Sequence, residues 1–422
     1  VKKNRRAQVV GIGLATPMAS AVQAQAVRLA VATTMIDVKQ RGLVEGLYER
    51  AGVATRGSVV LNSTRSAEAA PDQAFFPTCV RAEGSEGDEI PWPSTAARMA
   101  MFRLHAGAMA VAAARAAMSE AGISGAAITN LITVSCTGLE APGVDIELVE
   151  GLGLGADVER LNLGFMGCHG GIVAVRTAAA LVNARLAERG AGEDREEGQA
   201  GTARPPCVLA VCIELCTLHF QRTSRIDQHV ANALFADGAA AVVVCGPGGT
   251  CDTPGTRDMR DMRGEGNASG AKGTRGLEVT ATSSHLFAES TGAMGWRIGD
   301  CGFEMTLDRS VPALLEANLG GWVWPWLRGE LGNGVTAEDV RWAVHPGGPR
   351  VLDAVVQGLG LAMGEVEVSR AVLSEHGNMS SATVLFILRR MWPVAGNDGR
   401  PVVMLAFGPG LSGEAALLQA AD

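Results

Sequence analysis

LNLGFMGCHGGIVAVRTAAALVNARLAE, residues 161–188, is the stretch whose reading decides the fold. A short apolar run reaches Cys168 through Gly164 and Gly167, and an Ala/Val/Leu run with helical spacing follows directly. This pattern predicts a strand-to-helix turn with the thiol at its apex. Sulfur at a helix N-terminus meets unpaired backbone N–H groups and the positive end of the dipole, which favour thiolate and pull the pKa below the value of about 8.5 for free cysteine. Gly164, Gly167, Gly170 and Gly171 leave room for an approaching carbonyl. Taken alone, a cysteine among glycines also fits a packed turn. The rest of the chain decides between the two.

With 422 residues the chain can hold two or three ordinary domains, or one large duplicated one. Apolar residues at 47% and charged residues at 19% describe a soluble globular protein. Aromatic residues are few and Gly and Ala many, which favours close packing of small side chains. Lys plus Arg is 36 against Asp plus Glu 44, a net charge of −8 without a long basic tract, so nucleic acid is excluded as a partner. The nine cysteines are an odd number and none is spaced CxxC. A disulfide framework and a zinc site are therefore unsupported, and a reducing compartment fits best. The basic start VKKNRR has no apolar signal-like run behind it, and no stretch reaches 18 apolar residues, so no membrane span is predicted. The expected location is the cytoplasm, or an organelle if a targeting segment has been removed ahead of Val1.

Along the chain, residues 7–17 read as a strand entering a Gly/Pro turn, and Val22 to Tyr48 as helix. Residues 62–93 are loop-like; Ser94 and Thr95 then cap a long Ala/Met helix over about 96–121 that Gly122 ends. LITVSCTG, 131–138, is a buried strand that delivers Cys136 and Thr137 at its C-terminal edge, where α/β sheets present functional side chains. Residues 188–206 form a charged, Gly-rich insertion, and CVLAVCIEL is the next strand, leading to Cys216, His219 and Phe220. After the turn and strand of LFADGAAAVVVC, the low-complexity stretch 247–275 reads as a linker. The second half continues with a helix over about 305–331, a strand over 340–348, a helix from Pro349, a loop and helix over 375–391, and two closing strands. Residues 1–246 and 276–422 thus predict a duplicated α/β unit with layers of helix and sheet.

Cys168, His345 and Asn378 each stand at a Gly-flanked turn. A thiol nucleophile needs an imidazole beside it, and a further hydrogen-bond donor next to that imidazole can stabilise an enolate or oxyanion. The stretches GFMGCHGG, WAVHPGGPRVLD, LSEHGNMSSATVLFIL and AFGPGL, with the weaker GIGLATP, CTGLEAPGVD and ALFADGAAA, resemble the type III polyketide synthases, the chalcone synthase-like family of the thiolase fold. The resemblance runs from about residue 7 to the end. It implies a duplicated, layered α-β-α-β-α architecture and a homodimer with Pro142 and its neighbours at the interface. The implied substrates are CoA thioesters, with no bound cofactor and no metal.

Carried over by residue, Cys168 takes the starter acyl group, while His345 keeps the thiolate ionised and joins Asn378 in holding the thioester carbonyl as malonyl-CoA loses carbon dioxide. Phe235 matches the family's gatekeeping phenylalanine, and Met305 stands where a second phenylalanine is usual. Cavity positions fall on His219, Cys216, Cys136, Thr137 and Ser380; the first three replace small threonines. A bulkier His219 is expected to shrink the cavity, limit condensation and assist ring closure as a proton donor or acceptor. His169, after the nucleophile, replaces phenylalanine, and Ala141 beside Pro142 replaces methionine. Among basic residues for CoA phosphates, Arg50 aligns cleanly, with Lys39 and Arg41 as further candidates. The implied product is a phloroglucinol-type phenol or a short polyketide; a long-chain acyl-CoA-primed alkylpyrone or alkylresorcinol synthase is the alternative. A β-ketoacyl-acyl carrier protein synthase III shares the Cys/His/Asn set, but GNMSS and AFGPG argue against it. A catalytically silent acyl-binding or oxidant-sensing dimer would have no use for all three groups at these turns.

Overall fold

The computed structural model describes residues 6–33, 38–77, 91–190, 204–223, 225–247, 276–395 and 398–421. The strands are β1 (Gln8–Ala15), β2 (Ser20–Val22), β3 (Thr55–Gly57), β4 (Asn130–Ser135), β5 (Glu159–Gly164), β6 (Cys207–Leu215), β7 (Asp237–Cys245), β8 (Leu277–Leu286), β9 (Met294–Gly299), β10 (Gly302–Leu307), β11 (Arg341–Val344), β12 (Val402–Gly408) and β13 (Ser412–Ala420). The helices are α1 (Gln23–Thr33), α2 (Val38–Glu49), α3 (Thr95–Ala121), α4 (Val144–Leu152), α5 (Gly170–Gly190), α6 (Ile226–Leu234), α7 (Val311–Leu331), α8 (Pro349–Leu359), α9 (Glu367–His376) and α10 (Thr383–Ala395).

Nine strands hydrogen-bond in the order β11-β12-β13-β8-β1-β7-β6-β4-β5. One pairing rule is used twice. β1 is antiparallel to β7, β7 antiparallel to β6, and β6 parallel to β4; β8, β13, β12 and β11 repeat that series. A short antiparallel pairing, Gln8 with Glu278 and Val9 with Leu277, joins the two sets.

Layering follows from the period of two in the buried strands. In β7, Ala240, Val242 and Val244 face a core shared with α5 and α10, together with Met404 and Ala406 of β12. Ala239, Ala241 and Val243 face α3 on the other side. Val403 and Leu405 of β12 face α7 and α8. The sequence of layers is therefore helix, sheet, helices, sheet, helix, and the fold is of thiolase type, as expected.

The small-residue composition acts in this packing. Ala106, Ala110, Ala113 and Ala117 make a buried stripe at helical spacing on α3, and α3 rides directly on β1. A Cβ on Gly13 would fall 2.0 Å from the Ala113 carbonyl oxygen, so only glycine admits this approach. Ser94 accepts the Ala97 N–H at the start of α3, and Gly122 closes it in the left-handed conformation.

Two expectations need correction. Residues 302–307 form β10 in a hairpin with β9, and the helix expected from about 305 starts at Val311. The single helix expected over 22–48 is two helices, α1 and α2. The loop at 82–92, the insertion at 189–206 and the linker at 247–275 fall largely outside the described residues. Among the described residues no helix is long and apolar enough to cross a membrane.

Candidate active site

The C-terminal ends of the parallel strands β4, β5 and β6 meet those of β11 and β12, the edge at which α/β sheets hold their ligands. Cys136 and Thr137 follow β4, Cys168 follows β5, Cys216 follows β6, His345 follows β11 and Pro409 follows β12. The chain leaves β5 through Phe165, at φ 57°, and Gly167, at φ 70°. Cys168 then lies in the turn that opens α5. Such a backbone at a non-glycine residue is costly and persists where packing enforces it. Two of the glycines expected to make room for a carbonyl, Gly167 and Gly171, make room for the other half of the chain. A Cβ on Gly167 would stand 2.6 Å from Pro409 Cδ, and one on Gly171 2.3 Å from the Ser381 carbonyl oxygen.

One cavity, of about 30 Å³, is lined by Cys168, His345 and Asn378, with Phe235 and Met305 among its apolar walls. A second of similar size shares Cys168, Phe235 and Met305 and adds Cys136, Thr137, Cys216, Trp296 and Ser380. Three groups far apart in sequence thus meet at one thiol.

Burial pushes the Cys168 thiol up to about 12, and the Glu214 charge adds to this, whereas hydrogen bonds from Ser380 and Asn378 hold it down. The expected pull of the helix N-terminus is outweighed by desolvation. Burial likewise lowers His345 to about 3, aided by His169, so desolvation works against the charged form of both groups. His345 is 1% exposed. Neither of its ring nitrogens has a hydrogen-bond partner among the described residues. Asn378 Oδ1 accepts the Ser380 N–H at 2.8 Å, which turns the amide NH2 the other way. Ser380 itself, at φ 47°, sets its hydroxyl 3.1 Å from Cys136 Sγ.

His219 is placed differently from expectation. Its Nε2–H donates to the Thr137 carbonyl at 2.7 Å, its Nδ1 accepts the Phe303 N–H at 2.9 Å, and its ring stacks on Phe303. Neither cavity at Cys168 is lined by it. With both nitrogens engaged, it cannot pass protons during ring closure. The wall in that direction is Trp296, whose Nε1–H donates to the Cys136 carbonyl at 2.7 Å and whose ring stands edge-on to Phe235. His169 is engaged at one nitrogen: Ser412 donates to the Pro409 carbonyl, so it accepts from His169 Nε2–H at 2.8 Å.

Sequence reasoning missed Trp296 and Glu214. Glu214 is fully buried on β6 and accepts from Thr137 Oγ1 at 2.8 Å, the Cys136 N–H at 3.0 Å and Ser381 Oγ at 2.5 Å. Burial raises its pKa against these bonds. The signal was a lone acid in an otherwise apolar strand. Arg41 and Arg50 are exposed on and just after α2, which packs against α6, and Arg41 pairs with Glu45 at 3.0 Å. The Lys39 side chain lies outside the described residues. Among the described residues no group of His, Cys, Asp or Glu could hold a metal.

Fold and site together define a thiolase-fold protein with a half-buried cysteine at the wall of its central cavities. Residues 87–248 match the N-terminal domain, and residues 278–421 the C-terminal domain, of the chalcone and stilbene synthases, and the chain belongs to that family. It is a type III polyketide synthase, a transferase that uses CoA thioesters as substrates. It is 35% identical over 318 residues to a 1,3,6,8-tetrahydroxynaphthalene synthase of Streptomyces peucetius subsp. caesius, covering 74% of this chain and 72% of that one. It is 30% identical over 298 residues to a probable polyketide synthase 1 of Dictyostelium discoideum, covering 69% of this chain and 8% of that much longer protein. The crystal structure of PKS-I from the brown alga Ectocarpus siliculosus superposes with a TM-score of 0.79 at 26% identity, covering 99% of each chain.

Proposed function

We propose that the enzyme condenses malonyl-CoA units on Cys168 and closes them into a phloroglucinol-type or similar polyhydroxylated aromatic ring. The observation that carries the reading is the buried His345 imidazole, without a partner among the described residues, on the wall of a cavity it shares with the Cys168 thiol and the Asn378 amide. Both ring nitrogens of this imidazole lack a partner among the described residues and it lines the same cavity as Cys168, which suits a group kept for a substrate. Cys168 Sγ attacks the starter thioester carbonyl as His345 takes its proton, and the proton leaves with the departing CoA thiol. His345 and Asn378 then donate to the malonyl thioester oxygen while the carboxylate leaves as carbon dioxide. The enolate carbon attacks the Cys168 thioester, and collapse of the adduct frees the Cys168 sulfur and leaves the lengthened chain on CoA. Small cavities of about 30 Å³, one of them walled by Trp296, favour short chains. The relative named for tetrahydroxynaphthalene favours a hydroxylated arene over a pyrone. A long-chain starter is the second reading, supported by the flexible Met305 on the walls of both cavities.

Arg50, with Arg41 and Lys39, is proposed to meet the CoA phosphates. We further propose a homodimer built on β5. This edge strand is exposed at nearly every residue, and Leu161 and Leu139 near Pro142 are 42% and 47% exposed. The units of the chain are taken as 1–246 and 276–422 joined by 247–275, and an odd count of nine cysteines without CxxC spacing suits a reducing compartment such as the cytoplasm. Mass spectrometry of products from malonyl-CoA alone, and with a panel of acyl-CoA starters, tests the reading. Aromatic tri- to pentaketides are expected from malonyl-CoA alone. Products formed only from carrier-protein thioesters, or only from long acyl-CoA, would overturn it.

A further inference from the structure

Arg56, on β3, is buried and lies outside both cavities at Cys168. Its Nη1 donates to the carbonyls of Asn232 at 3.1 Å and Phe235 at 3.0 Å, and its Nη2 to the Ala233 carbonyl at 2.7 Å and to Gln23 Oε1. These are the orphan carbonyls at the C-terminus of α6, where a cation is favoured. From the other side, the Asn378 N–H donates to the Leu234 carbonyl at 2.8 Å and the Ala236 N–H to the Asn378 carbonyl at 2.9 Å. The backbone of Phe235 is therefore pinned between a buried guanidinium and the backbone of Asn378.

The Phe235 ring has a third neighbour. A mainly apolar chamber of about 60 Å³, walled by Leu29, Tyr48, Phe76 and Phe220 and by Arg56 itself, reaches Cys216 and Phe235 from behind. Those two residues also wall the cavity at Cys168. The Phe235 side chain thus stands between the reaction cavity and an empty space of apolar character, and Arg56 holds the backbone from which that ring projects.

We propose that Arg56 is a positioning residue that sets Phe235 and keeps the adjoining chamber closed to the acyl chain on Cys168, so that it selects starter length. The inference rests on the reading of Phe235 as a wall of the substrate route. Lysine at this position keeps the charge but cannot serve carbonyls in a planar fork. Loosening the clamp frees the ring to swing and lets a longer hydrocarbon tail enter.

The test is single-turnover loading of Cys168, followed by intact-protein mass spectrometry, with acetyl-CoA and dodecanoyl-CoA, for the wild type, Arg56→Lys, Phe235→Ala and the double variant. Arg56→Lys should raise the dodecanoyl-to-acetyl ratio of loading rates about tenfold. In the Phe235→Ala background the same change should move the ratio less than about twofold. Gln23→Ala, which removes one partner of the guanidinium and leaves the charge, should move the ratio about threefold in the same direction and serves if Arg56→Lys does not fold. Equal loss with both starters, or a shift that persists without the Phe235 ring, overturns Arg56 as the setter of the gate. Wild-type enzyme that loads neither thioester overturns the reading of the gate itself, and the Arg56 assignment with it.

Discussion

Replacing His219 by threonine, the residue the family resemblance leads one to expect there, should destabilise the protein rather than enlarge its cavity. The imidazole bridges two buried backbone groups, the Thr137 carbonyl and the Phe303 N–H. A threonine hydroxyl cannot span both, and each buried group left unpaired costs about 1–3 kcal/mol. Loss of the stack on Phe303, at a centroid distance of 4.1 Å, adds about 0.5–1.5 kcal/mol. The total is about 4 kcal/mol near neutral pH. The cost should also depend on pH. Burial lowers His219 to about 3 in the fold, whereas the unfolded chain titrates at about 6.5. The unfolded state therefore binds the proton first. The stability due to neutral His219 is complete above about pH 6.5 and is lost as pH falls toward the folded value, by about 2 kcal/mol at about pH 5. Threonine has no such dependence. Urea unfolding of both proteins should show a gap of about 4 kcal/mol at about pH 7.5 that narrows to about 2 kcal/mol at about pH 5. A gap below about 1 kcal/mol, or one that stays constant with pH, together with longer polyketides from the variant, would refute this placement of His219.

Asn378→Ala should slow malonyl-CoA decarboxylation about 100-fold while Cys168 loading stays within about threefold, because the amide serves the enolate oxygen; equal losses would point to a structural role. Gly171→Ala drives a Cβ to 2.3 Å from the Ser381 carbonyl oxygen. It should cost about 3 kcal/mol or more, read as a lowered melting temperature together with lost loading. Leu161→Asp places a charge on the exposed edge strand β5 and should give a monomer by light scattering; an unchanged dimer would move the interface elsewhere.

Much of the layout was legible because it depends on local pattern. The turn at Cys168, the long α3 with Ser94 and Gly122 at its ends, and the buried strands at 131–135 and 207–215 all follow from period and punctuation. What stayed hidden depends on depth and on distant partners. The helix N-terminus argument for Cys168 was sound as far as it went, yet a one-dimensional pattern carries the dipole and not the desolvation that opposes it. The glycines beside the thiol were credited to a ligand because their real neighbours, Ser381 and Pro409, lie more than two hundred residues away. The last residues of β10 read as the start of a helix because Met305 and Leu307 extend the apolar spacing of α7; Ser310 and Pro312, at the first turn of that helix, are the boundary signal.

Glu214 is the instructive case. An acid near the end of a fully buried strand is too costly to be incidental unless several donors meet it. On that ground alone CVLAVCIEL should have been searched for its donors. They prove to come from both halves of the chain, Thr137 and Cys136 after β4 and Ser381 before α10. Ser381 is also the residue against which Gly171 of α5 packs, and Asn378 lies three positions before it. The carboxylate therefore ties the cavity wall at Thr137 to the loop that carries Asn378, and the helix of the nucleophile rests on the same loop. The groups proposed for catalysis, Cys168, His345 and Asn378, come from both halves of the chain, and such a set needs a tie. The half-to-half register at Cys168 is held by a buried acid that touches neither the substrate cavities nor the thiol.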